Sequence, residues 1–189
     1  MIRLFFNYYE DSHPERKKEI DLCLQKNLAN THFNTIIVES QSRMTYGNFF
    51  ERINKIAEND DISIICNSDI FFDETIKLVS NIQTNECFAL ARWEWTGETE
   101  TPVFCNRVDS QDSWIFKGKI KDNIYCDFHL GIAGCDNRIA AELQKAGYCV
   151  SNPALSVKSY HVHNTGIRTY RNLPTIPGPY LTLQPEKIK

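Results

Sequence analysis

The sequence predicts an α/β fold, one domain with a mostly parallel central sheet and helices on both faces. Three observations predict it. Short apolar, strand-like runs alternate with helical patterns along the first half of the chain, in the order β-α-β-α-β-α-β. The most apolar of these runs, Ile62 to Cys66, breaks off into Asn67, Ser68 and Asp69, as a buried strand does at its carboxyl end. At 189 residues the chain is long enough to bury a core without disulfide or metal staples, and short enough to be one domain.

Ile2 to Phe6 reads as the first strand, ending at Asn7, Tyr8, Tyr9 and Glu10. Ser12 and Glu15 have capping-box spacing and Pro14 suits a first helical turn; Ile20, Cys23, Leu24 and Leu28 follow on one buried face. Thr35 to Glu39 is the second strand. After Ser40 to Tyr46, a second helix carries Phe49, Phe50, Ile53, Ile56 and Ala57 inward. The third strand is Ile62 to Cys66. Asp73 is placed to cap a helix over 74–82 that buries Ile76, Val79 and Ile82, whereas Asp69 comes too early for that cap and is left for a ligand. Cys87 to Arg92 is the fourth strand of the alternation.

Right-handed crossovers put the ends of the first three strands on one edge, where ligands of open α/β sheets bind. Asn7, Tyr8, Tyr9, Arg43 and Asn67 to Asp69 are then neighbours. Tyr8 or Tyr9 is placed to stack on a base and Arg43 to pair with a phosphate or carbonyl; aromatic packing and a surface arginine are the plainer readings.

From Trp93 to Gln111 the chain is polar and reads as an irregular loop able to fold over a ligand. Asp112 to Phe116 returns to a strand pattern. Ile124 to Asp136 passes from strand-like residues through a glycine-spaced turn into a helix with Ile139, Ala140, Leu143 and Ala146 on one face and Gly147 at its end. Asp136 stands at the start of that helix. It is a cap, a task Asn137 can share, or a general base kept ionised by helix-end amides, and both readings stay open.

Leu155 to Tyr160 reads as the final strand and ends at His161 and His163, which on an extended chain point to opposite sides, so that one at most faces the site. The tail from Asn164 to Lys189 holds Pro174, Pro177, Pro179 and Pro185 with Arg168 and Arg171, and is expected to wrap or trail without helix.

A net charge of −3 offers no general attraction to nucleic acid or anionic lipid, so an anionic ligand must be bound locally. No run reaches the apolar length of a membrane span, mean hydropathy is −0.40, and the first residues lack a signal-peptide layout. The seven cysteines are odd in number and scattered, with no CxxC pair, which suits a reducing cytoplasm. Cys23, Cys66, Cys87 and Cys149 read as small apolar residues within elements, and Cys135 as an exposed thiol with no base beside it.

This order of parts resembles glycosyltransferases of the GT-A fold. Over residues 1–163 the chain is similar in its pattern of elements, with Asn67, Ser68 and Asp69 where that family has its DxD motif; residues 164–189 form the tail. The resemblance implies a Rossmann-like GT-A domain and transfer of a sugar from a nucleotide-diphosphate donor to a hydroxyl of a glycan or other acceptor. It implies Mn²⁺ or Mg²⁺ bound by Asp69 and by His161 or His163, and a nucleotide near Asn7, Tyr8, Tyr9, Arg43, Asn67 and Ser68. Asp136 matches the late acidic residue near the acceptor and would act as base if the anomeric centre is inverted. Trp114 would offer a flat face to a sugar ring or be a core residue. Asn67 departs from the motif, being a neutral and weaker ligand. A non-catalytic nucleotide-sugar or glycan-binding module is the alternative, and a nucleotidyltransferase a further one, disfavoured by the lack of a glycine- and basic-rich first loop.

Overall fold

A computed structural model describes residues 1–39, 43–167 and 173–188. Ser40 to Ser42, Arg168 and Arg171 therefore lie outside the described residues. The described chain is mixed α/β. Its strands are β1 (Ile2–Asn7), β2 (Thr35–Glu39), β3 (Ile62–Cys66), β4 (Ile70–Phe72), β5 (Glu86–Leu90), β6 (Trp93–Glu94), β7 (Val103–Phe104), β8 (Ser113–Lys117), β9 (Cys149–Ser151) and β10 (Ser159–His161). The α-helices are α1 (Pro14–Ala29), α2 (Tyr46–Ile56) and α3 (Cys135–Lys145), and a 3₁₀ helix spans Glu74–Asn81.

The main sheet has the order β2-β1-β3-β8-β5-β9. The pairs β1–β2, β1–β3 and β5–β9 are parallel, but β8 runs antiparallel to both neighbours. The sheet is thus mixed, with three parallel pairs and two antiparallel ones. The reason is the connection: residues 91–112 contain no crossover helix, so the chain turns back at the carboxyl edge and must return in the opposite direction. The amide of Asp112 bonds the Leu90 carbonyl and its own carbonyl accepts from the Asn67 amide, which sets the start of β8 beside the ends of β3 and β5.

Side-chain alternation gives the sheet two buried faces. On one, Leu4, Phe6, Ile64 and Cys66 pack with Cys23 of α1 and with Ile76 and Val79 of the 3₁₀ helix. On the other, Phe5, Ile65 and Trp114 pack with Phe49 and Ile53 of α2 and with Ile139 and Leu143 of α3. Helices therefore cover both faces, α1 on one and α2 on the other.

Several local expectations change. α1 is capped at His13, with Pro14 in its first turn and no Ser12–Glu15 capping box; Asp11 accepts from the His13 amide instead. Leu28 is exposed, and the buried stripe continues through Asn27, whose side chain bonds the Ile70 carbonyl and the Phe72 amide. Ile56 is also exposed. The helix expected over 74–82 is the 3₁₀ helix, capped by Asp73 through the Thr75 amide. Residues 124–128 form no strand, because the Phe128 and Cys126 carbonyls are taken by the amides of Tyr46 and Gly47 at the start of α2.

A second, smaller sheet has the order β4-β10-β6-β7. The region 93–111 is thus not a wholly irregular loop, since β6 and β7 pair within it and Trp93 packs on Phe104. The last strand joins this sheet, lying between β4 and β6. Residues 173–188 wrap over the body: the Leu181 amide bonds the Asn137 carbonyl, the Leu183 amide that of Val108, and Leu183 is buried. All seven cysteines are free; Cys135 is buried, not exposed, and Cys149 is exposed at the sheet edge. No helix among the described residues is long and apolar enough to cross a membrane.

Candidate functional site

In the order β2-β1-β3, the chain leaves β1 to one side through α1 and returns to the other through α2. The connections diverge between β1 and β3, which is where open α/β sheets bind ligands at their carboxyl edge. A cleft of about 720 Å³ opens at that place. Asn7, Tyr9, Arg43, Asn67, Ser68, Asp69, Asp136, His161 and His163 all line it, together with Arg16, Arg92 and Asp112.

Part of the expected set positions the rest. Asn7 is buried and ties two neighbours, its Nδ2 donating to the Glu39 carbonyl and its Oδ1 accepting from the Met44 amide. Ser68 Oγ donates to the Asn7 carbonyl at 2.7 Å. Asn67 Nδ2 donates to Asp112 Oδ1 at 2.6 Å, so its amide nitrogen is held by a carboxylate. Arg43 reaches the Leu130 and Gly131 carbonyls. Tyr8 departs from expectation: its hydroxyl donates to Asp21 and accepts from Lys17 on α1, and it does not line the cleft. Trp114 is fully buried with its ring edge-on to Tyr46, a core residue.

The centre of the site is Asp69, 7% exposed. Its Oδ2 lies 2.5 Å from Arg16 Nη2, 3.2 Å from His161 Nε2 and 3.5 Å from His163 Nδ1. Both histidines reach the same carboxylate, against the expectation that at most one would. β10 ends at His161, so the alternation of an extended strand no longer governs His163. On its other ring nitrogen, His161 Nδ1 lies 2.7 Å from Glu94 Oε2, and Glu94 accepts in turn from Arg92.

Charges in this network hold one another. Burial by itself would raise Asp69, but His161, His163 and Arg16 outweigh it and keep the carboxyl well below its usual range. Burial likewise would lower His161, yet Asp69 and Glu94 lift it to about 10. Glu94, despite its partial burial, is brought down to about 2 by His161 and Arg92. Asp136 moves the other way: burial and the nearby Asp112 carboxylate push it up to about 8. This corrects the expectation of a carboxylate held ionised by helix-end amides. Asp136 is not the cap either, because Gly134 holds that position and Asp136 sits in the first turn, accepting from Cys135 Sγ.

The chain matches no protein-family model and no curated protein. The site must be read from its own chemistry. The ligating atoms of Asp69, His161 and His163 all lie within 4.8 Å of one another. Glu94 fixes the ring of His161 with Nε2 toward Asp69, the arrangement in which a carboxylate orients a metal-bound histidine. His163 Nε2 is buried without a hydrogen-bond partner among the described residues, an orphan atom of the kind that marks a functional position. One carboxylate and two imidazoles fit a divalent ion that accepts nitrogen ligands, Mn²⁺ better than Mg²⁺, whose preference is for oxygen.

Four residues of the site carry no functional expectation from the sequence: Arg16, Arg92, Glu94 and Asp112. Only Arg16 leaves a trace there. It stands in phase with Ile20, Cys23 and Asn27, a charge on the buried stripe of a helix.

Proposed function

We propose that the chain is a GT-A-type glycosyltransferase acting on a nucleotide-diphosphate sugar. The observation that carries the reading is the position of the Asp69, His161 and His163 donor set, in the cleft at the divergence of β1 and β3. Asn7 and Ser68 shape the floor of that cleft, Tyr9 and Arg43 supply an aromatic face and a cation for the nucleotide end, and Arg16 adds charge for the diphosphate. Asp69, His161 and His163 would hold Mn²⁺ or Mg²⁺, a Lewis acid that neutralises charge on a leaving diphosphate. Asp136, raised to about 8, would take the proton of the attacking acceptor hydroxyl once it has ionised, so turnover is expected to rise toward alkaline pH.

A second reading, a non-catalytic module that binds a nucleotide sugar or glycan, is favoured by Asn67, whose amide is engaged by Asp112 where a second acidic ligand would stand. Turnover separates the two. A thermal-shift screen of UDP-, GDP-, CMP- and dTDP-sugars, each with and without Mn²⁺, is made on wild type and Asp69→Ala, and nucleotide release is followed for any donor that binds. A Mn²⁺-dependent shift lost in the variant, with release of nucleotide, supports the transferase; a shift without release supports the module. No shift with any donor refutes the transferase and a module that binds a nucleotide sugar.

A further inference from the structure

Arg16 is the part of the site that its metal chemistry does not explain. Arg16 is 5% exposed and lines the cleft, with Nη2 on Asp69 Oδ2 at 2.5 Å. Nη1 is held separately, by Glu19 Oε2 at 2.8 Å and by the Val162 carbonyl at 3.2 Å. Glu19 is itself fixed, accepting from the Thr165 amide and hydroxyl. One end of the fork is therefore anchored in the protein, and the other rests on the single carboxylate oxygen that both histidines also approach. A divalent ion ligated by that oxygen meets a fixed positive charge already there.

We propose that Arg16 is a placeholder cation and a diphosphate ligand: its Nη2 neutralises Asp69 in the free protein and passes to a diphosphate oxygen when a divalent ion takes Asp69. This rests on the metal and diphosphate assignment above and deepens it. The anchored Nη1 lets the guanidinium pivot without losing its contacts to Glu19 and Val162. A planar fork is suited to such an exchange, because it offers parallel donors to carboxylate and phosphate alike. The consequence is coupling: metal alone binds weakly, diphosphate alone binds weakly, and each strengthens the other.

The test uses the full chain, Mn²⁺ alone and inorganic pyrophosphate alone. Free Mn²⁺ is followed by electron paramagnetic resonance and pyrophosphate by calorimetry. Arg16→Gln, with the competing charge gone, is expected to bind Mn²⁺ at least tenfold tighter than wild type. Asp69→Asn releases the guanidinium and is expected to bind pyrophosphate at least tenfold tighter, a gain that disappears when Arg16→Gln is added. Arg16→Lys keeps the charge but not the fork, and is expected to match wild type for Mn²⁺ while binding pyrophosphate more weakly with Mn²⁺ present. Should Arg16→Gln not fold, Arg16→Lys decides: pyrophosphate binding equal to wild type with Mn²⁺ present overturns the proposal.

Unchanged Mn²⁺ affinity in Arg16→Gln overturns the proposal, as does a pyrophosphate gain in Asp69→Asn that survives loss of Arg16. If these arms fail while wild type still shows a Mn²⁺-dependent shift with a nucleotide sugar, only the role of Arg16 falls. If that shift is missing as well, the glycosyltransferase reading falls with it.

Discussion

Glu94 Oε2 lies 2.7 Å from His161 Nδ1, and this bond aims the opposite nitrogen of the ring at Asp69, 3.2 Å away. A carboxylate in that position sets both the tautomer and the orientation of a metal-ligating histidine, and its loss typically costs about 10–100-fold in metal affinity. Glu94→Gln is therefore expected to weaken Mn²⁺ binding by that factor. Calorimetric titration with Mn²⁺ is the measurement, and an affinity equal to wild type would remove Glu94 from the site.

Asp136 links stability to pH. In the folded chain it is held protonated up to about 8, whereas its ordinary value is 3.8. Between those values the folded state binds more protons than the unfolded one, so this group's stabilising contribution is complete below about 4 and is lost as pH rises through about 8. Asp136→Asn removes the buried charge. It is expected to melt higher than wild type at pH 8, by roughly 2–4 °C for each kcal/mol regained, with a smaller difference at pH 4. If the proposed transferase reading holds, nucleotide-sugar turnover falls about 10²–10⁴-fold in the same variant, the usual contribution of a general base. A variant no more stable at pH 8 than at pH 4, relative to wild type, contradicts the assignment.

Asn27 is a structural counterpart to these site residues. Fully buried, it satisfies the carbonyl of Ile70 and the amide of Phe72, and so fastens α1 to β4 just beyond Asp69. Asn27→Ala leaves two buried backbone groups unpaired, at a cost of roughly 2–4 kcal/mol. Urea unfolding is expected to show a lower midpoint with an unchanged slope.

Gly134 has φ +82, and a Cβ there would stand 2.7 Å from the Ile176 carbonyl. Gly134→Ala pairs a left-handed backbone, costing about 1–2 kcal/mol, with a clash against the C-terminal segment. The Ile176 amide, which bonds the Ala133 carbonyl, is expected to exchange its hydrogen at least tenfold faster than in wild type. Unchanged exchange would mean that the segment is held by its later contacts alone.

Much of the scaffold is legible in the chain because its signals are short-range. Short apolar runs mark β1, β2, β3 and β5, β-branched in β2 and β3, and helical periodicity marks α1, α2 and α3. Asp73 caps an amide two residues along, and Asp69 stands beyond a buried strand, so the cap and the position of Asp69 can both be read locally. What the tertiary structure decided is which charges meet. The return of β8 without a crossover set Asp112 beside Asn67, and the departure of β10 to the smaller sheet brought His161 and His163 onto one carboxylate. Arg16 and Asp69 are 53 residues apart, yet share an ion pair. Periodicity and capping act over a few residues, whereas an ion pair in a cleft depends on which strand ends share an edge. The sequence by itself therefore determined the elements and the acidic end of β3, and only the packed chain gave that acid its partners.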